Sequence, residues 1–148
     1  MKTLTVKQPW AYLLCSGLKN IENRTWKTNY RGTILIHSSA KGIDYRNPNS
    51  LFTKEQWNSI PKGIQEKMIT MEVITDGAII GSVEIVDCVQ NHPSVWAEKG
   101  VWNWVVKNQK IFDSQITNVK GKLMLWDYDI EKKLDEEVKR FKELIDKR

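Results

Sequence analysis

The sequence predicts an α+β fold in which a small mixed or antiparallel sheet of five or six strands is interspersed with short helices. Three observations support this prediction. Short segments of alternating or continuously apolar residues recur over the first 128 positions, as strands require. Long helical periodicity is confined to the C-terminal end. The length of 148 residues fits one domain whose core needs neither a metal nor a disulfide.

The first elements are a strand and a short helix. Residues 2–6 (KTLTV) alternate as a half-buried strand does. Pro9 suits the start of a helix, in which Trp10 and Leu13 are helically spaced. Gly17 is then the residue expected to end it.

Two further strands and a helical region follow. Residues 21–26 and 31–38 have the composition of strands joined by a loop. The sequence RNPNS at residues 46–50 predicts a turn. Residues 53–72 predict one or two helices, broken at Pro61 because proline interrupts helical hydrogen bonding.

The second half contains the strongest strand signal. Residues 78–89 are apolar on both faces, which predicts a central position in the sheet. A short helical turn is expected at 94–99, and strands at 102–106 and 122–128. An amphipathic helix is predicted over residues 131–147, where an ordinary packed helix and a protein-binding helix would show the same pattern. Its apolar stripe consists of Leu134, Val138, Phe141 and Ile145.

Charge is distributed unevenly along the chain. Residues 1–50 contain 8 Lys and Arg against 2 Asp and Glu, whereas residues 51–100 contain 4 against 7 and residues 101–148 contain 11 against 9. The overall excess of +5 therefore originates mainly in the first third. Such a one-sided basic field favours a polyanionic partner.

The remaining composition limits the class of protein. Cys15 and Cys88 lie in apolar runs without a C-x-x-C spacing, which indicates buried thiols and a reducing compartment. The sequence has neither an apolar stretch near twenty residues nor a signal peptide, so we expect a cytoplasmic protein that does not span a membrane. His37 and His92 have no second ligand at metal spacing, and nucleotide-cofactor motifs are absent, so neither a metal nor a cofactor is expected.

The segment 17–24 (GLKNIENR) concentrates charged groups just after the predicted helix stop. Side chains two apart on a strand share a face, so Glu22, Arg24 and Trp26 should lie together, with Lys19 in the preceding turn. Glu22 and Arg24 can then pair beside an aromatic ring. The alternative interpretation is a surface ion pair next to a half-buried tryptophan.

These residues resemble the ASCH domain family, whose fold is a PUA-like β-barrel. The resemblance rests on V-K-Q-P-W-A at 6–11, G-x-K-x-x-E-x-R at 17–24, W-x-T-x-Y-R-G at 26–32 and the strand ending in His37-Ser38-Ser39. It covers roughly the first 128 residues, so we expect a single domain over 1–148 with residues 129–148 as its C-terminal helix. The family includes RNA binders, proposed coactivator modules and hydrolases.

The resemblance implies a basic, aromatic-lined cleft that binds RNA, a nucleotide or a modified base. In this hypothesis Lys19, Arg24 and Arg31 contact phosphate. Glu22 accepts a hydrogen bond from a base edge, and an aromatic residue provides the stacking face that single-stranded RNA requires. The aromatic candidates are Trp10, Trp26 and Tyr30, and the resemblance adds His37 and Ser38 as a wall of the cleft.

Two alternatives remain open. Family members that hydrolyse acetylated cytidine are expected to use a lysine base, a threonine nucleophile three residues later and a carboxylate on a later strand. Lys19 matches the lysine, but Glu22 stands at the threonine position and lacks the hydroxyl, so a hydrolase on a nucleoside or RNA would use Lys19, Glu22 and Glu84 as acid and base groups. The second alternative is a protein-interaction module in transcription or translation that presents the C-terminal helix.

Overall fold

The computed structural model describes residues 1–41 and 50–147. Residues 46–49 of the predicted turn lie outside the described residues. The strands are Lys2–Val6 (β1), Ile21–Arg24 (β2), Gly32–Ser38 (β3), Ile79–Val89 (β4), Trp102–Ile116 (β5) and Leu125–Asp127 (β6). The helices are Trp10–Cys15 (α1), Lys54–Asn58 (α2), Lys62–Ile69 (α3) and Ile130–Asp146 (α4).

The strands form one mixed sheet in the order β2-β5-β4-β3-β1-β6. β1 is parallel to β3, and the other neighbouring pairs are antiparallel. The sheet curls so that β2 approaches β1, although three strands lie between them in the sheet order. The contact is made by Arg24 on β2, which donates a hydrogen bond of 2.8 Å to the carbonyl of Thr5 on β1. This curled sheet with short helices confirms the predicted α+β, PUA-like fold.

Helix α1 packs against the concave centre of the sheet. Leu14 and Cys15 are buried in a core shared with β3, β4 and β5. Gly81 on β4 permits this contact, since a Cβ there would lie 2.9 Å from the sulfur of Cys15 and 2.0 Å from the carbonyl of Lys110. Gly17, with φ of +86°, ends the region in the left-handed conformation expected after a helix.

Several predicted boundaries were wrong by a few residues. β5 continues to Ile116 because its second half pairs with β4 as far as Ile79. β6 is limited to the three residues that pair with β1. Residues 94–99 contain a turn in place of the expected helical turn, and the N–H of Ala97 donates a hydrogen bond to the carbonyl of Ser94 that closes it. The break at Pro61 is confirmed: it separates α2, which has a Thr53 capping box, from α3.

The C-terminal helix α4 is present, but its apolar stripe does not pack against the domain. Phe141 is 65% exposed, and the other members of the stripe are at least half exposed. The interpretation of α4 as an ordinary packed helix is therefore wrong. The amphipathic pattern fixes which residues share a face, but it carries no information on what that face contacts.

Candidate functional site

A cleft of about 520 Å³ opens between the end of β1, the start of α1, β2 and the residues that precede β6. Its volume lies within the range of small-molecule sites in proteins. Four cationic side chains line it, from Lys7, Lys19, Arg24 and Lys122, against two carboxylates, from Glu22 and Glu98. The lining therefore has a formal charge of +2 and favours an anion.

Lys19 lies at the buried end of this cleft. Its carbonyl accepts a hydrogen bond of 2.6 Å from Gln109 on β5, which fixes the turn after α1. Its ammonium donates to the carbonyl of Ile21 at 2.6 Å and lies 3.6 Å from Oε1 of Glu22 and 5.5 Å from the ring centroid of Trp10. Burial lowers the pKa of Lys19, while Glu22 acts in the opposite direction.

Glu22 and Arg24 form the ion pair that the strand spacing predicts. Nε and Nη2 of Arg24 lie 2.9 and 2.8 Å from Oε2 of Glu22, and Nη2 also donates to the carbonyl of Thr5. Glu22 is buried, so the alternative of a plain surface ion pair does not hold. Among the described residues, Oε1 of Glu22 has only the looser contact with Lys19, and it is therefore the oxygen more available to a ligand donor.

Aromatic side chains form the walls. Trp10 packs edge-on against Phe52 and Trp96, with ring centroids 4.9 and 6.5 Å apart. Half-buried Trp26 packs edge-on against Trp104 at 4.6 Å on the other side. Trp10, Trp26 and Trp96 all line the cleft. This edge-on packing fixes the orientation of the rings, so the walls on either side of the charged cluster are rigid and apolar.

Glu84 does not reach this cleft. It lies on β4, which β5 separates from β2, and its Oε1 accepts a hydrogen bond of 2.9 Å from Asn108. Glu84 therefore does not lie with Lys19 and Glu22, the residues with which the hydrolase alternative groups it. The bulges between β4 and β5, which sequence spacing does not reveal, set the face on which Glu84 lies.

Tyr30 and Arg31 also lie outside the cleft lining. Arg31 donates to the carbonyls of Thr28 and Tyr30, and it lies 3.8 Å from Asp87 on β4. These contacts stabilise the loop that enters β3. Lys27 of the same loop lies 5.3 Å from the ring centroid of Trp102 and is likewise not part of the lining.

His37 and Ser38 are buried at the end of β3, beneath the cleft wall. Nδ1 of His37 accepts from the hydroxyl of Thr5 at 3.1 Å, and Nε2 donates to the carbonyl of Val119 at 2.7 Å. Burial lowers the pKa of His37, and the bond to Val119 partly opposes this. The hydroxyl of Ser38 bonds the backbone of Ala78. Both residues support the cleft without lining it.

The sequence reasoning missed an amide network that positions one wall. Asn23 on β2 donates to the carbonyl of Trp96 and accepts from the N–H of Glu98. Buried Asn103 on β5 donates to Asn23 and Glu98 and accepts from His92. A signal existed, since Asn103 stands between two tryptophans in a strand, and a buried amide requires partners.

Two further properties concern residues 1–41 and 50–147. No helix there is long and apolar enough to cross a membrane. No group of three or more His, Cys, Asp or Glu side chains in these ranges is arranged to hold a metal ion.

Comparison with known proteins adds the family. The model of the family described as ASCH domain matches residues 4–142. The chain is similar to Activating signal cointegrator 1 of Homo sapiens, with 29% identity over 97 residues, and to the Mus musculus protein of that name, with 27%. Each alignment covers 58% of this chain and 14% of the relative, so the chain spans a small part of these proteins. Because the family model matches nearly its whole length, the chain belongs to the ASCH domain family.

Proposed function

We propose that this protein binds single-stranded RNA and takes one nucleotide into the cleft. The observation that carries the proposal is the Lys19–Glu22–Arg24 cluster between tryptophan walls, in which Lys19 and Glu22 are buried and Arg24 is partly exposed. Single-stranded RNA presents a flat base next to an anionic phosphate, and its recognition requires an aromatic face and a cation close together. The excess of cations in the lining supports the same class of ligand.

Two members of the cluster, Arg24 and Glu22, have distinct roles in this proposal. Arg24 uses Nε and Nη2 within the protein, and among the described residues no acceptor bonds its Nη1, which can donate to phosphate. Oε1 of Glu22 accepts from an amino or imino group on the base edge. Trp26, which is half-buried, provides the stacking face. Exposed Lys7 and Lys122 interact with the neighbouring phosphates at the rim.

The hydrolase alternative has less support. It requires Lys19, Glu22 and Glu84 to act on one substrate, and Glu84 bonds Asn108 outside the cleft. We therefore retain binding as the function that the geometry favours.

Titration of fluorescently labelled single-stranded RNA at several salt concentrations tests the proposal. The logarithm of the affinity should fall linearly with the logarithm of the salt concentration, by about 0.7 for each phosphate neutralised. Arg24→Ala should weaken binding roughly tenfold or more and reduce this slope by about 0.7. Arg140→Ala, which removes an exposed guanidinium on α4, is the matched control and should leave affinity unchanged.

Base discrimination provides a second measurement. Glu22→Ala should keep or increase phosphate affinity, because a negative charge is removed, while preference among the four bases falls. Binding that is independent of salt, or equal losses in Arg24→Ala and Arg140→Ala, would contradict the proposed function.

A further inference from the structure

The rim of the cleft contains two large apolar side chains that face solvent. Leu123 is 90% exposed and Met124 is 57% exposed, and both line the cleft directly before β6. Their neighbours Leu125 and Trp126 pack against the cores of the domain. A single exposed leucine is common in proteins, but an adjacent apolar pair at the mouth of a charged cleft is a feature that requires an explanation.

The backbone holds this pair outward. Met124 has φ of +60°, a left-handed conformation that is unfavourable for a residue with a side chain. Before the pair, Gly121 lies so close to His37 and Thr5 that a Cβ would be 2.9 Å from each. After the pair, β6 begins with Leu125 paired to Leu4. The projection is thus anchored on both sides.

The surroundings of the pair are cationic. Lys120 and Lys122 are exposed on its N-terminal side, and Nζ of Lys122 lies 5.9 Å from the ring centroid of Trp126. An apolar tip beside lysines matches the surface of a nucleic-acid helix, in which stacked bases lie between rows of phosphate. Proteins that displace bases insert leucine or methionine side chains between base steps in this way.

We propose that Leu123 and Met124 form a wedge that fills the gap left when one nucleotide leaves a base-paired helix and enters the cleft. This inference rests on the proposed function and extends its ligand from single strands to helical RNA with a displaceable base. The wedge lies next to the cleft, so one surface can both receive the extruded base in the cleft and fill the vacated position with the wedge. This juxtaposition supports the inference. A lipid surface would also accept an apolar, basic loop, but binding to it would not involve the Lys19–Glu22–Arg24 cluster inside the cleft.

The test compares three RNA ligands: a single strand, the matched duplex of that strand, and the same duplex with a central mismatch. Wild-type protein should bind the mismatched duplex roughly tenfold more tightly than the matched one, since a mismatched base is easier to extrude. Leu123→Ser/Met124→Ser should lose roughly tenfold more affinity for the mismatched duplex than for the single strand. Leu144→Ser, which changes an exposed leucine on α4, is the matched control and should behave as wild type.

The outcomes separate the wedge from the proposed function. Tight single-strand binding without a preference for the mismatched duplex would overturn the wedge alone, as would equal losses on all three ligands in the double variant. Absence of binding to any RNA would overturn both proposals. Loss of binding to anionic phospholipid vesicles in the double variant, with unchanged duplex binding, would assign the loop to membranes instead. The single variant Leu123→Ser is measured in the same way. Melting temperatures of every variant show whether a loss of binding results from misfolding.

Discussion

Replacement of Glu22 by glutamine tests the buried charge cluster most directly. Glutamine keeps the shape of the side chain and removes its charge. The ammonium of Lys19 lies 3.6 Å from Oε1, which corresponds to roughly 5 kcal/mol of attraction at an effective dielectric constant near 20. The contact with Arg24 at 2.8 Å is also weakened, but this guanidinium is 24% exposed and solvent screens part of its charge.

Loss of one partner from a buried pair leaves the other charge uncompensated, which destabilises proteins by roughly 3–5 kcal/mol. For a chain of this length we expect Glu22→Gln to lower the melting temperature by roughly 6–20 °C. Thermal and urea unfolding followed by tryptophan fluorescence measure this. Glu98→Gln is the matched control, because Glu98 lines the same cleft but is exposed, and its effect should stay within about 0.5 kcal/mol.

The pH dependence gives an independent check. Burial already lowers the pKa of Lys19 below its ordinary 10.5, and the variant lacks the carboxylate that opposes this. The unfolded state then binds the proton more tightly than the folded state does, so stability is lost below pH 10.5 and regained as the pH rises toward that value. Glu22→Gln should therefore approach wild type between pH 7 and 10. Equal unfolding free energies for Glu22→Gln and Glu98→Gln at both pH values would refute the reasoning.

Three further predictions concern the supporting structure. Gly121→Ala should destabilise the fold by about 1–3 kcal/mol because its Cβ would press on His37 and Thr5. Gly63→Ala should instead stabilise α3 by up to about 1 kcal/mol, since a Cβ at Gly63 has no atom within 4 Å. Urea unfolding of both variants measures the difference. Because burial lowers the pKa of His37, the unfolded state takes up the proton first as the pH falls, so wild type should lose stability as the pH falls through 6.5, by at most about 1.4 kcal/mol per pH unit from this group. Melting curves of His37→Gln should lack this loss of stability, and a pH profile identical to that of wild type would contradict the prediction. Phe141→Ser should shift the melting temperature by no more than about 2 °C since the ring is 65% exposed, and a larger decrease would show that α4 packs in solution.

The elements with strong local signals were predictable from the sequence. Gly17 ends α1 because only a residue without Cβ enters the left-handed conformation freely, and Pro61 separates two helices because it lacks an N–H. The pairing of Glu22 with Arg24 followed from the two-residue period of a strand. Each of these features depends on residues that are close together in the sequence, so the sequence alone is enough to predict it.

The remainder depends on contacts between distant segments. Glu84 was expected near Lys19, but the strand order and the bulges of β4 place it beside Asn108. His37 was expected in the cleft wall and instead supports Thr5 from beneath. Leu123 carries no periodicity that would indicate its position at the rim, since its exposure results from the conformation of a turn. Curvature of the sheet decides which of these residues meet.

The amide network of Asn23 and Asn103 determines when the wall of the cleft becomes ordered. Its hydrogen bonds connect β2 and β5 to the carbonyl of Trp96 and the backbone of Glu98, so the wall takes its shape during folding. A ligand that contacts this wall meets a backbone that is already ordered, so the loss of conformational entropy from this wall on association is small. The heat-capacity change of binding should then contain no contribution from ordering of this wall, and association should need no slow step in which this wall closes.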